Sequence, residues 1–141
     1  MLNKAVRLHG QNDLRLDTFE LPQIKDDEIL VKVVSDSICM SSYKAAIQGS
    51  NHKRVPADIA EHPAIVGHEF CGIIEKVGAK WKGKYAEGDK FTIQPAISYK
   101  HTMQTPGYAF EFCGGDSQRA VLIPEVMEQD CLLKYRANEF F

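Results

Sequence analysis

Three side chains in this sequence have the types and the spacing to do chemistry together: Cys39, His68 and Glu69. A thiol, an imidazole and a carboxylate are the donors that divalent zinc takes, and a catalytic zinc keeps one position open for substrate. In "AIVGHEFCG" (64–72), His68 and Glu69 are neighbours between Gly67 and Gly72. Neighbours in a regular strand point to opposite faces. They can share an ion only where the backbone is irregular, and flanking glycines permit that. Cys39 ends a separate β-rich run, so two strand ends meeting at one rim would bring all three donors together. The residue types leave other readings open. A buried cysteine is often only a small hydrophobe, and a His–Glu pair can be a surface pair. Cys39 could also be a nucleophile with His68 as its base, which requires a lowered thiol pKa and a bound oxyanion.

The elements that must position these donors are short strands. Val6 and Leu8 share one parity, and Leu14 and Leu16 repeat it after the turn residues "GQND". "EILVKVVSDSIC" (28–39) reads as a strand, as do "HEFCGIIEKVG" (68–78), the end of "EGDKFTIQP" (87–95) and "SQRAVLIPE" (117–125). "SSYKAAIQG" (41–49) predicts a short helix capped by Ser41 or Ser42 and ended by Gly49. Residues 97–115 carry no periodicity and read as a long loop. Trp81 reads as a lid on the core, Cys71 as packing, and His9, His52, His62 and His101 as solvated side chains at strand ends or in loops. Many strands with little helix predict a mainly β barrel or sandwich.

The 141 residues suit one domain, 44% hydrophobic and 26% charged. A net charge of −2 argues against a nucleic-acid surface. No apolar run approaches the roughly 20 residues that span a bilayer, and "MLNKAVRLHG" lacks a signal-peptide core. Cys39, Cys71, Cys113 and Cys131 form no CxxC pair, which reads as reduced thiols and a cytoplasmic setting. The apolar end, closing on Phe140 and Phe141, suggests a chain cut from a longer protein.

With these residues in view, "GHEFCGIIEKVG" resembles the zinc signature of the medium-chain dehydrogenases, the zinc alcohol and polyol dehydrogenase family, through Gly67, His68, Glu69, Gly72 and Gly78. "SICMSS", "EGDKF" and "GGDSQRAVLIPE" resemble further segments of that family, in order. "SSYK", "HKRVP", "GHEFCG" and "MEQDCLL" are similar to its branch of L-sorbose-1-phosphate reductase-like sugar-phosphate dehydrogenases. The resemblance implies a GroES-like distorted β-barrel with short helices over residues 1–141, truncated before the Rossmann domain. It implies Cys39 and His68 as zinc ligands, Glu69 as a ligand or one that alternates with water, and Ser41 as the first member of a proton relay. NAD or NADP would belong to the full-length protein, because no GxGxxG occurs in this sequence. The domain alone is then expected to be silent, within a homo-oligomeric parent. The zinc-independent reductases of the superfamily usually lack the Cys and GHE ligands.

Departures from the family pattern matter. Ser42 stands where relatives often carry an Asp that orients the ligand His. Cys113 is the single thiol in residues 94–115, so one catalytic zinc and no structural zinc are expected. Lys44 stands where alcohol-oxidising relatives carry a relay histidine. As an ammonium it suits a phosphate, with Tyr43 beside it and Lys53 and Arg54 adding to the same rim. The expected substrate is therefore a small-molecule sugar phosphate or polyol phosphate. The alternatives are an unphosphorylated polyol or alcohol, or a metal-free barrel module with no enzymatic role.

Overall fold

A computed structural model describes residues 1–135. The chain runs β1 (Leu2–Gly10), β2 (Asp13–Glu20), β3 (Ile29–Asp36), α1 (Met40–Gln48), β4 (Ala64–Ile65), β5 (Phe70–Val77), β6 (Lys90–Ile93), β7 (Arg119–Leu122), α2 (Pro124–Glu128) and β8 (Leu132–Lys134). Two antiparallel sheets form, ordered β2-β1-β4 and β7-β3-β5-β6-β8. A seam joins them. Asn3 is buried at 1% exposure, yet its amide is satisfied: it donates to Ser117 Oγ (2.8 Å) and to the Arg119 carbonyl (3.1 Å), and accepts from the Arg119 N–H (3.0 Å). Backbone bonds from Val6 to Asp116 and from Gln118 to Lys4 continue the seam. The result is mainly β, as the strand spacing predicts, and is the distorted barrel with short helices that the family resemblance implies. Among the described residues, no helix is long and apolar enough to cross a membrane.

The main core lies under the five-stranded sheet, with Phe70, Phe91, Ile29, Leu122 and Val126 fully buried. Phe70 and Phe91 meet edge to face, centroids 6.1 Å apart, a favoured aromatic geometry. Trp81 packs on this core as expected, and its indole N–H donates to the Asp27 carbonyl (2.8 Å). A second cluster of Leu8, Ala45, Ala46, Val55, Val66 and Tyr108 sits beneath α1 and anchors the helix to β1.

Several boundaries differ from the sequence expectation. β3 ends at Asp36, so Cys39 lies past the strand, as the extended N-cap of α1 (φ −107°, ψ 138°). That cap makes no side-chain bond, and neither Ser41 nor Ser42 serves as one. β5 begins at Phe70, leaving His68 and Glu69 in the irregular backbone before it. Leu14 and Leu16 pair across from Leu8 and Val6 but are 47% and 69% exposed, on the edge strand β2. β4, α2 and β8 are too short for a periodic signal; Pro124 opens α2 at its first turn, where a missing N–H costs nothing. Residues 97–115 form no named strand or helix, as expected. The Phe140–Phe141 end lies outside the described residues.

The join between β3 and β5 carries an unusual carboxyl. Asp36 Oδ1 accepts the N–H groups of Ser37 (2.8 Å) and Glu69 (3.2 Å), and Ser37 N–H donates to the Glu69 carbonyl (3.1 Å). Asp36 Oδ2 is buried with no hydrogen-bond partner among the described residues. Burial first, and then the charge of Asp116, push the Asp36 carboxyl up to about 7. Native Asp36 therefore holds a proton across a range in which the unfolded chain has lost it, and its contribution to stability falls as pH rises from about 4 to about 7.

Two measurements check this account of the fold. Phe70→Ala should cost about 3–5 kcal/mol in urea unfolding, the scale for removing a fully buried aromatic; a cost under about 1 kcal/mol would show that the core collapses around the gap. Asp36→Asn keeps the acceptor for Ser37 and Glu69 and cannot titrate. The melting temperature of the variant minus that of the native chain should therefore increase between acidic and neutral pH. A flat difference would mean that Asp36 ionises normally in the fold.

Candidate metal centre

The donors sit where β3 hands over to α1 and where the 64–69 segment hands over to β5. Cys39 Sγ, one ring nitrogen of His68 and a carboxylate oxygen of Glu69 all lie within 4.8 Å of one another. His68 Nε2 is 3.4 Å from Glu69 Oε1 and 3.4 Å from Ser41 Oγ, and Ser41 Oγ is 2.9 Å from Cys39 Sγ. Nε2 is thus the nitrogen that faces the other donors. Tetrahedral zinc with bonds of about 2.0–2.3 Å needs its ligand atoms roughly 3.5 Å apart, so small side-chain rotations would close the set. Thiol, imidazole and carboxylate are also the right donor chemistry, and the residues fit a zinc ion.

The other imidazole nitrogen answers the question raised by Ser42. Ser42 Oγ lies 3.3 Å from His68 Nδ1. In the tautomer that leaves Nε2 free for a metal, the Nδ1–H donates to this hydroxyl. Ser42 thus places a neutral hydroxyl beside the imidazole nitrogen that faces away from the other donors. Burial holds His68 below its ordinary pKa, with the Glu69 carboxylate opposing, which favours the neutral imidazole that a metal ligand must be.

Tyr108 completes the site, and the sequence reading missed it. Its hydroxyl donates to Ser41 Oγ (3.0 Å) and lies 3.5 Å from His68 Nε2. Its ring stacks with two imidazoles, its centroid 4.9 Å from that of His68 and 5.6 Å from that of His52. Glycines seat it there. Gly107 has φ +85°, and any side chain on it would strike the Gly67 carbonyl. Gly67 has φ +92°, and a side chain there would strike Asp36 and the backbone of Asp116. Gly115 N–H donates to the Gly67 carbonyl (2.8 Å), which zips the two segments together. A sequence signal existed: an aromatic directly after Pro106–Gly107, with a Gly114–Gly115 pair downstream.

The cleft over these groups has a volume of about 210 Å³ and is lined by Ser41, Arg54, His68, Thr105 and Tyr108, together with Pro95 and Ala96. Cys39, Ser41, His68 and Glu69 are brought together as expected. Tyr43 and Lys44 are not among the lining residues; both are exposed on α1, and Tyr43 borders a neighbouring groove with Cys39 and Asp116. His52 is half-buried on Tyr108 rather than solvated, and His9 is paired with Asp17 at 2.6 Å. His62 is exposed beside Glu111, and His101 is exposed. Cys113 is fully buried among apolar groups, which push its thiol up to about 12.

The comparisons agree with this geometry. Residues 25–131 match the family described as alcohol dehydrogenase GroES-like domain. The chain is 49% identical over 137 residues to the L-sorbose 1-phosphate reductase of Klebsiella pneumoniae, covering 97% of this chain and 33% of that protein. It is 44% identical over 136 residues to the mannitol-1-phosphate 5-dehydrogenase of Aliivibrio fischeri, covering 96% and 32%. Among solved structures, 2R,3R-butanediol dehydrogenase from Bacillus subtilis superposes with a TM-score of 0.77 at 25% identity, over 96% of this chain and 41% of that one. The chain spans about a third of the length of these curated relatives. The barrel, the Cys39–His68–Glu69 donor set and the matched residues lead to one conclusion: this chain belongs to the alcohol dehydrogenase GroES-like domain family.

Proposed function

We propose that residues 1–141 serve as the catalytic domain of a zinc-dependent, NAD(P)-linked oxidoreductase that interconverts a polyol phosphate and a ketose phosphate. The observation that carries this reading is the convergence of Cys39, His68 and Glu69 on one point beside Ser41, with His68 and Ser41 lining a cleft. The names of the sorbose-phosphate and mannitol-phosphate relatives support the substrate class.

In this reading Cys39, His68 and Glu69 hold one zinc, which when bound supplies a Lewis acid for the substrate oxygen. Ser42 holds the His68 ring in register. Ser41 Oγ receives the proton of the substrate hydroxyl, and the Tyr108 hydroxyl, 3.0 Å away, fixes the direction of its lone pairs. Near-complete burial of His68 and Tyr108 excludes water from one side of the cleft. The hydride partner, NAD or NADP, is proposed to bind a further domain of a full-length, cytoplasmic, homo-oligomeric protein. The 38% identity to a sorbitol dehydrogenase of Bombyx mori over 93 residues favours a second reading, an unphosphorylated polyol as substrate.

Cobalt substitution tests the centre. The chain loaded with cobalt should show a thiolate-to-metal absorption band that disappears in Cys39→Ser; a band that survives would remove Cys39 from the ligand set. Tyr108→Phe should keep that band. In the full-length enzyme it should lower kcat by roughly threefold to tenfold, the worth of one neutral hydrogen bond of about 0.5–1.5 kcal/mol. The 141-residue chain alone should show no NAD(P)-linked turnover of sugar phosphates, and rates near those of a full-length enzyme would refute the domain assignment.

A further inference from the structure

The cleft contains a cation that the metal centre does not use. Arg54 lines it together with His68, Ser41, Thr105 and Tyr108, and no acidic residue does. Its backbone is fixed by a tight turn in which the Arg54 N–H donates to His52 Nδ1 (3.1 Å) and the Val55 N–H donates to the His52 carbonyl (3.0 Å). Its guanidinium carbon lies 5.8 Å from the centroid of the Tyr108 ring, the ring that stacks on His68. One guanidinium N–H goes to the Met103 carbonyl (3.2 Å). Among the described residues no carboxylate stands within ion-pair distance of it. An arginine has five N–H donors in a planar fork, so most of this fork is uncommitted at the cleft.

Lys44 and Lys53 contribute differently. Both are exposed, and neither lines the cleft. Their charges nonetheless act at its edge, since after burial the charges of Arg54, Lys53 and Lys44 hold His52 below its ordinary pKa. The two lysines supply a diffuse positive field, and Arg54 supplies directed donors.

We propose that Arg54 is the phosphate-binding residue of this cleft and the determinant of its preference for phosphorylated polyols and ketoses. The planar fork donates two parallel hydrogen bonds to two phosphate oxygens at once, a bidentate geometry that a lysine ammonium lacks. Tyr108 stands between the two ends of the substrate: its hydroxyl serves Ser41 at the reacting end, and its ring carries the guanidinium at the phosphate end. This assignment rests on the phosphorylated-substrate reading above and moves the direct contact from Lys44, favoured by sequence, to Arg54.

The test is a titration of the isotope-labelled chain with mannitol 1-phosphate, mannitol and inorganic phosphate, following the Arg54 Nε–H resonance by NMR. Both phosphate compounds should shift that resonance, and mannitol should not. Arg54→Gln should raise the Kd for mannitol 1-phosphate roughly tenfold or more, the scale of a charge-assisted contact. Arg54→Lys should recover part of the loss, and Lys44→Ala should change Kd by less than about threefold, as expected of a screened surface charge. Thermal melts of each variant separate lost binding from lost folding; should Arg54→Gln not fold, Arg54→Lys and the native Arg54 resonance carry the test. Preference for phosphate that survives Arg54→Gln, or that Lys44→Ala abolishes, overturns the Arg54 assignment and leaves the phosphorylated-substrate reading standing. Equal affinity of the native chain for mannitol and mannitol 1-phosphate overturns both. An Arg54 resonance that stays unmoved by millimolar phosphate overturns the assignment as well.

Discussion

Two stretches of backbone lie against each other with no space for a side chain between them, and the site depends on that contact. Gly67 and Gly107 each have a positive φ; a Cβ on Gly107 would collide with the backbone of Gly67 and His68, and one on Gly67 with Asp36 and the backbone of Asp116. The bonds from Gly115 to Gly67 and from Asp116 to Val66 close the remaining backbone groups. Only this close approach lets a loop without regular structure hold Tyr108 flat against His68. The ligand histidine is thereby fixed on three sides: by an aromatic face, by the Ser42 hydroxyl at Nδ1, and by the bonds that tie Glu69 to Asp36 and Ser37. A ring so held loses little entropy when it takes up an ion, which is the physical content of preorganisation.

The same packing explains why adjacent residues can serve one centre. His68 and Glu69 precede the first residue of β5, so the alternation of a pleated strand does not govern them. The backbone turns at Gly67, and the His68 ring goes inward to 7% exposure while the Glu69 side chain stays 44% exposed. One donor is therefore dry and the other is wet. That asymmetry suits a site in which one ligand is permanent and another exchanges with water.

How much of this could be read from the sequence varies with the range of the interaction. The fold class was legible because β-branched runs and turn residues are local signals. The donors Cys39, His68 and Glu69 were legible because ligand types are few and the GHE stretch is compact. The contact of Ser42 with the His68 ring was not, because it depends on where the first turn of α1 lands relative to a ring 26 residues away. The serines look like helix caps by type, but their hydroxyls are drawn to the thiol and imidazole instead. Tyr108 was hidden in an aperiodic stretch, 40 residues from its histidine. Lys44 sits close to the ligands in sequence, yet the helix carries it outward, while Arg54 reaches the cleft from a turn with no helical period to announce it.

The seam that joins the two sheets has a consequence for how the chain is made. Asn3 closes against Ser117 and Arg119, across 114 and 116 positions of sequence. During synthesis on a ribosome, β1 can pair early with β2, which follows it directly, and later with the two residues of β4 at one end of its other edge, but the rest of that edge waits until the residues around 117 have left the exit tunnel. For most of translation the nascent barrel is an open sheet with a bare strand edge and an uncovered core. Closure pays a large loop entropy in one late step, the kind of long-range pairing that makes a fold slow to form. The buried amide of Asn3 then acts as a register check, since a seam displaced by one residue would strand a polar side chain in the interior.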